Sequence, residues 1–183
     1  RLDFQKGVDL VVQGLDEILA TTSAQLVILG SGDQGLEDAL RRASAAHPTR
    51  VATWLGFSAP LSRRIYAGSD LFLMPSLFEP CGLSQMIAMR YGSLPVARAT
   101  GGLVDTIVDC NQPEGFGYLF GPYRWEAMVQ TLARALADHA DPRSWGAARN
   151  RAMTQDFSWD RAARSYLEVY RRSMVLAGHP AAD

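Results

Sequence analysis

Three short stretches carry residue types suited to a phosphorylated ligand. The first is Arg1 to Gly7, which leads into an apolar-periodic segment. Arg grips phosphate oxygens in pairs and Lys acts as a point charge. Arg1 and Lys6 beside a helix start would therefore make a diphosphate clamp. Two solvated surface cations would leave the same trace. The second is Ser76-Leu77-Phe78-Glu79-Pro80-Cys81-Gly82-Leu83-Ser84-Gln85. Here an apolar run ends, a loop turns on Pro80 and Gly82, and a helix begins. The open amides and macrodipole of such a helix start attract an anion. Gly82 lets a ligand approach the backbone. Ser84 adds a hydroxyl, and Glu79 is an acceptor suited to the hydroxyls of a sugar. A plain helix N-terminus with an acidic neighbour is the alternative. The third is Thr100-Gly101-Gly102, either a cradle of backbone donors or an ordinary turn.

Other candidates carry less. Phe57, after Gly56, could stack on a base or belong to a core. Gly30-Ser31-Gly32-Asp33-Gln34-Gly35 has the glycine spacing of a dinucleotide site. The acidic residue such a site wants about 20 positions on is missing from Arg50 to Leu55. A structural turn capped by Asp33 fits better. His47, His139 and His179 are scattered, and no pair has metal-ligand spacing. Neither a zinc hydrolase nor a Ser-His-Asp hydrolase is supported, and no metal or cofactor is implied.

The loops need a scaffold, and the pattern supplies one by alternating strand and helix. Helices are predicted from Asp9 to Ala20, after Asp33, from Ser58 to Gly68 and from Leu83 to Tyr91. Strands are predicted at Gln25–Leu29, Val51–Leu55, Asp70–Met74 and Leu94–Ala97, with a short fifth at Gly117–Phe120. Further helices follow through Val129–Ala137, near Trp145, and after the cap Ser158. The last is expected to turn Ala163, Tyr166, Leu167 and Tyr170 inward. Such alternation implies right-handed crossovers and a doubly wound, Rossmann-like parallel sheet. Ligands then bind beyond the carboxyl ends of the strands, where the three stretches lie. One domain is expected over residues 1–177, with 178–183 as a tail.

The 183 residues are 48% hydrophobic and 20% charged, which excludes a disordered tail, a collagen-like rod and a coiled coil. A net charge of −1 gives no bulk attraction to nucleic acid or an anionic membrane. Lys6 is the single lysine among 18 basic residues, which makes its surroundings worth inspecting. Cys81 and Cys110 form neither a disulfide framework nor a zinc site, so a reducing cytoplasm is the simplest compartment. No apolar run nears the roughly 20 residues of a spanning helix. The chain opens on Arg1-Leu2-Asp3, with no initiator Met or signal peptide, and reads as a piece of something longer.

Taken in order, the motifs resemble the C-terminal domain of bacterial glycogen synthases and plant starch synthases, retaining glycosyltransferases of the GT-B fold. The resemblance runs from Arg1-Leu2-x-x-Gln5-Lys6-Gly7 through Leu29-Gly30-Ser31-Gly32-Asp33 and Arg64-Ile65-Tyr66-Ala67-Gly68-Ser69-Asp70. It continues in Phe78-Glu79-Pro80-Cys81-Gly82-Leu83, Arg90-Tyr91-Gly92, Thr100-Gly101-Gly102-Leu103 and Asp156-Phe157-Ser158-Trp159. It implies that Arg1 and Lys6 bind the distal phosphates of ADP-glucose, and that Glu79 contacts the transferred glucose. Amides of Cys81, Gly82 and Leu83 would meet glucose and phosphate. Ser84 stands where Thr is common, and Phe57 stands where an aromatic stacks on adenine. Leu77 and Ile87 depart from the family's Arg and Tyr, so no role passes to them.

The implied reaction moves glucose to the non-reducing end of an α-1,4-glucan with retention, by front-face attack through an oxocarbenium-like transition state. The alternatives are a non-catalytic nucleotide-sugar-binding domain and another GT-B enzyme using UDP-glucose. A glycogen phosphorylase is disfavoured, because its pyridoxal group needs a lysine and Lys6 is already assigned. The resemblance also implies an N-terminal domain across a cleft, and a strand before Arg1 that lies mid-sheet. Without them, a gap in the sheet and an inactive fragment are expected.

Overall fold

The computed structural model describes residues 1–178; His179 and the rest of the expected tail lie outside the described residues. The chain begins with α1 (Val8–Thr21), β1 (Leu26–Gly30), α2 (Gln34–Ala46), β2 (Val51–Leu55), α3 (Ala59–Gly68) and β3 (Leu71–Met74). It continues with α4 (Ser84–Tyr91), β4 (Leu94–Arg98), α5 (Gly102–Thr106), β5 (Tyr118–Phe120), α6 (Trp125–His139), α7 (Pro142–Met153) and α8 (Trp159–Leu176). Two compact units result, one over Arg1–Met153 and a second that begins at Thr154.

Local chemistry explains most boundaries. Asp33 accepts the Leu36 N–H at 3.0 Å and so caps α2. Ser58 accepts the Leu61 N–H at 3.3 Å, and Pro60 fits the first turn of α3, where its missing N–H costs nothing. Gly92 ends α4 at φ +83°, a conformation that favours glycine.

All strand pairs are parallel: β1 with β2, β3 with β4, and β4 with β5. They form two sheets, β1-β2 and β3-β4-β5. The main core packs Leu10 and Ile18 of α1 and Met128 and Leu132 of α6 against Leu94 and Val96 of β4. Burying each such side chain is worth about 1.5–3 kcal/mol. This packing holds α1 on the β3-β4-β5 sheet, although α1 leads into β1.

A cavity of about 1030 Å³ lies between β1 and β3, lined by Val27, Ile28, Phe72 and Leu73 of those strands. Val11 and Tyr66 line it from α1 and α3. Leu2 makes a parallel bridge to Gly32, and the Leu77 N–H donates to the Gln5 carbonyl at 2.8 Å. Residues 2–5 thus thread between the carboxyl ends of β1 and β3, in line with the cavity. The gap expected at mid-sheet is present.

The second unit is built on α8, capped by Ser158 through the Arg161 N–H at 3.4 Å. Its apolar stripe departs from expectation. No residue of α8 is buried, and Tyr166 and Tyr170 are 58% and 60% exposed. Helical periodicity marks which face is apolar without requiring that anything cover it. Among the described residues, no helix is long and apolar enough to cross a membrane.

Candidate functional site at the carboxyl ends of the strands

Gly7 brings the first two stretches together. Its φ is +72°, and a Cβ there would stand 2.0 Å from the Pro75 carbonyl oxygen. Only glycine lets the start of α1 abut the end of β3 in this way. The Lys6 N–H donates to Asp3 Oδ1 at 2.8 Å, which fixes the turn. Lys6 Nζ then donates to Glu79 Oε2 at 2.5 Å. Glu79 is only 6% exposed, and Ser76 Oγ donates to the same oxygen at 3.4 Å. A buried carboxylate needs such partners, because leaving it unpaired costs several kcal/mol. Arg1 donates to Gln5 Oε1 at 3.3 Å and pairs with Asp3 at 3.4 Å, while Gln5 Nε2 donates to the Phe78 carbonyl at 3.4 Å. Arg1 thus remains an exposed cation on the same rim as Lys6 and Glu79.

The Gly30–Gly32 turn serves this rim. A Cβ on Gly32 would stand 2.1 Å from the Leu2 carbonyl oxygen, and Leu2 is buried. The turn therefore seats the residue beside Arg1, and Asp33 caps α2, as the structural reading holds. Phe57 projects beyond β2 with 93% of its surface exposed, so it is not a core residue.

The segment after β3 is braced from behind. The Gly102 N–H donates to the Glu79 and Pro80 carbonyls at 3.0 and 3.2 Å. A Cβ on Gly101 would stand 2.0 Å from the Glu79 carbonyl oxygen, and one on Gly102 2.5 Å from that of Cys81. Thr100-Gly101-Gly102 is therefore neither a plain turn nor a fully open cradle. Its Gly102 donor is engaged in holding the Glu79–Cys81 turn. Gly82 has φ +77°, and the fully buried Gln85 donates to its carbonyl at 2.9 Å and to Thr106 Oγ1 at 3.0 Å.

At the start of α4, Leu83 supplies no side-chain cap. Cys81 and Leu83 are exposed and Ser84 is half-buried. The uncapped start of α4 carries partial positive charge on its open amides, and Ser84 lines the same cavity as Arg1 and Lys6.

Two contributors were not singled out in the sequence, Arg98 and Tyr123. Arg98 donates to carbonyls of the β3 loop, and Tyr123 hydrogen-bonds the turn that holds Lys6. Arg98 immediately precedes the Ala99–Gly102 loop, so its position at a strand end was the available signal. Tyr123 lies after β5 in a loop with no motif. Burial and the carboxylate of Asp9 push its phenol well above its ordinary pKa, so it stays a donor.

Residues 1–151 match the family described as Glycosyl transferases group 1. The chain is 51% identical over 172 residues to a glycogen synthase of Anaeromyxobacter sp. (strain Fw109-5), covering 93% of this chain and 36% of that protein. It is 46% identical over 181 residues to a glycogen synthase of Geobacillus thermodenitrificans (strain NG80-2), covering 98% and 37%. Among solved structures it is similar to the catalytic domain of starch synthase IV from Arabidopsis thaliana bound to ADP and acarbose. That match has a TM-score of 0.84 and 38% identity over 96% of this chain and 37% of the other. The chain thus spans little more than a third of the length of the curated relatives it matches. Its parallel strands, with the candidate site at their carboxyl ends, have the Rossmann-like architecture of one half of a GT-B enzyme, and the chain belongs to the group 1 glycosyl transferases.

Proposed function

We propose that this chain is the donor-binding half of a bacterial glycogen synthase that acts in the cytoplasm. It would transfer glucose from ADP-glucose to the non-reducing end of an α-1,4-glucan, with retention. The observation that carries the proposal is the meeting of Lys6 and Glu79 at 2.5 Å beside the uncapped start of α4. Breaking the bond from the anomeric carbon to the diphosphate leaves negative charge on ADP and positive charge on the sugar. Arg1, Lys6 and the amides of Cys81, Gly82 and Leu83 are preorganised for the first charge. Glu79 faces the second and holds sugar hydroxyls, with the Ser84 hydroxyl nearby. Phe57 stacks on adenine, and Thr100, Gly101 and Gly102 keep the Glu79 turn in place. A diphosphate arriving at Lys6 competes with Glu79, so donor binding loosens an ion pair that stabilises the empty site.

The acceptor side belongs to an N-terminal domain of the same protein, facing this rim across a cleft. The strand leading into Arg1 fills the slot between β1 and β3. Both readings are supported by the open edges of those strands and by relatives almost three times as long. Calorimetry with ADP, UDP and their glucose esters tests the donor on a protein that includes the preceding residues. ADP and ADP-glucose should bind more tightly than the uridine pair; the reverse order would replace the donor. The 183-residue chain alone should incorporate no labelled glucose into glycogen. Measurable incorporation would overturn the shared-cleft reading.

A further inference from the structure

We propose that Arg98 and Tyr123 are positioning residues that hold the Lys6 turn and the Glu79 turn at working distance. This rests on the transferase reading above and deepens it. Arg98 closes β4 and is half-buried. Its Nε donates to the Ser76 carbonyl at 2.8 Å, its Nη1 to the Gly121 carbonyl at 3.5 Å, and its Nη2 to the Leu77 carbonyl. The planar fork of a guanidinium spreads its donors over three nitrogens in fixed directions, whereas an ammonium gathers its three on one atom. Among the described residues, no carboxylate pairs with Arg98. Its charge is met by carbonyl oxygens and a ring face. Its work is geometric.

The ring belongs to Tyr123, whose centroid lies 5.7 Å from the guanidinium carbon. The Tyr123 hydroxyl lies 2.7 Å from Asp9 Oδ1 and 2.9 Å from the Phe4 carbonyl oxygen, and donates its one proton between them. Phe4 and Asp9 flank Lys6; Ser76 and Leu77 precede Glu79. A continuous brace therefore runs from one turn to the other through two side chains, by a route separate from the ion pair.

The brace matters most when the site fills. Three direct ties join the turns: the Leu77 N–H to the Gln5 carbonyl, the Lys6–Glu79 pair itself, and Gln5 Nε2 to the Phe78 carbonyl. A bound diphosphate weakens the second tie by competing for Lys6. The Arg98–Tyr123 brace does not depend on Lys6, so it keeps the cation and the carboxylate apart by a set distance while their pairing loosens. Misplacing such groups by about 1 Å costs about 100-fold in rate.

The test uses the full-length protein with Tyr123→Phe, which keeps the ring and removes the proton, and Arg98→Lys, which keeps the charge and removes the fork. Hydrogen exchange is followed over residues 3–9, 75–80, β4 and α6, and turnover is measured with ADP-glucose. Both variants should exchange faster in residues 3–9 alone or together with 75–80, with β4 and α6 unchanged. Their kcat should fall about 10- to 100-fold, with KM for ADP-glucose within about twofold. Unchanged exchange in residues 3–9 would overturn the proposal. So would exchange rising equally in β4 and α6, or faster local exchange with unaltered kcat. Exchange is read without substrate. A wild-type protein that turns over no sugar nucleotide would defeat the transferase reading, while the exchange comparison would still decide the brace.

Discussion

Lys6 and Glu79, 73 positions apart in the chain, meet at 2.5 Å where α1 begins and β3 ends. The contact joins the two stretches whose chemistry matters most. Glu79 is held in a buried position that only a partnered carboxylate can occupy at low cost. Lys6 is partly exposed.

Replacing Lys6 tests the clamp directly. Lys6→Ala in the full-length protein should lower kcat about 100-fold or more, as removal of a preorganised charge donor does elsewhere. Glucan binding, measured by affinity electrophoresis, should persist. Turnover within twofold of wild type would remove Lys6 from the mechanism.

Phe57 offers a cleaner binding probe, because it is 93% exposed and supports no core. Phe57→Ala should weaken ADP binding about tenfold by calorimetry, the size of a lost base–aromatic stack. The melting temperature should stay where it is. Equal affinity in the variant would place the base elsewhere.

Gly7 is a structural test of the same site. A side chain there meets the Pro75 carbonyl oxygen at 2.0 Å on a backbone with φ +72°. Gly7→Ala should cost at least about 2 kcal/mol by urea denaturation, since both the contact and the φ are unfavourable. A variant as stable as the parent would show that α1 can shift away from β3.

Asp109 carries a pH signature of its own, outside the residues of the candidate site. Burial alone would raise its pKa. The bidentate Arg134 guanidinium, at 2.8 Å to each oxygen, and the N–H groups of Asn111 and Leu119 hold it below its ordinary value instead. A depressed folded-state pKa stabilises the fold above the unfolded carboxylate value and loses that contribution as pH falls through the folded one. Asp109→Asn should therefore cost about 2 kcal/mol at pH 7. The difference from wild type should shrink as the pH is lowered below about 4. A gap in denaturation midpoints that stays constant down to pH 2 would contradict this account.

The strands and most helix boundaries could be read along the chain, because their causes are local. Asp33 and Ser58 cap helices within three residues of their own positions, and Pro60 suits a first turn whatever surrounds it. Thr100-Gly101-Gly102 shows where local reading stops. Two glycines after a strand suit a donor cradle, but they are small because the Glu79 and Cys81 carbonyls press against them. The stripe of α8 was visible as a period and not as a fate, since periodicity names a face and not its cover. Arg98 and Tyr123 carried no motif, because their partners are backbone carbonyls, which every residue possesses, and one carboxylate, Asp9, 114 positions from Tyr123.

The order of elements, the parallel character of the sheet and the chemical types at each strand end were determined by sequence alone, through spacing and composition that act over a few residues. Tertiary structure decided which of those ends converge. It put the one lysine against a carboxylate and turned a glycine pair into a brace. The physical reason is range. Capping and periodicity are settled within a turn or two of chain, whereas a charge pair or a close backbone contact exists only after distant segments have packed.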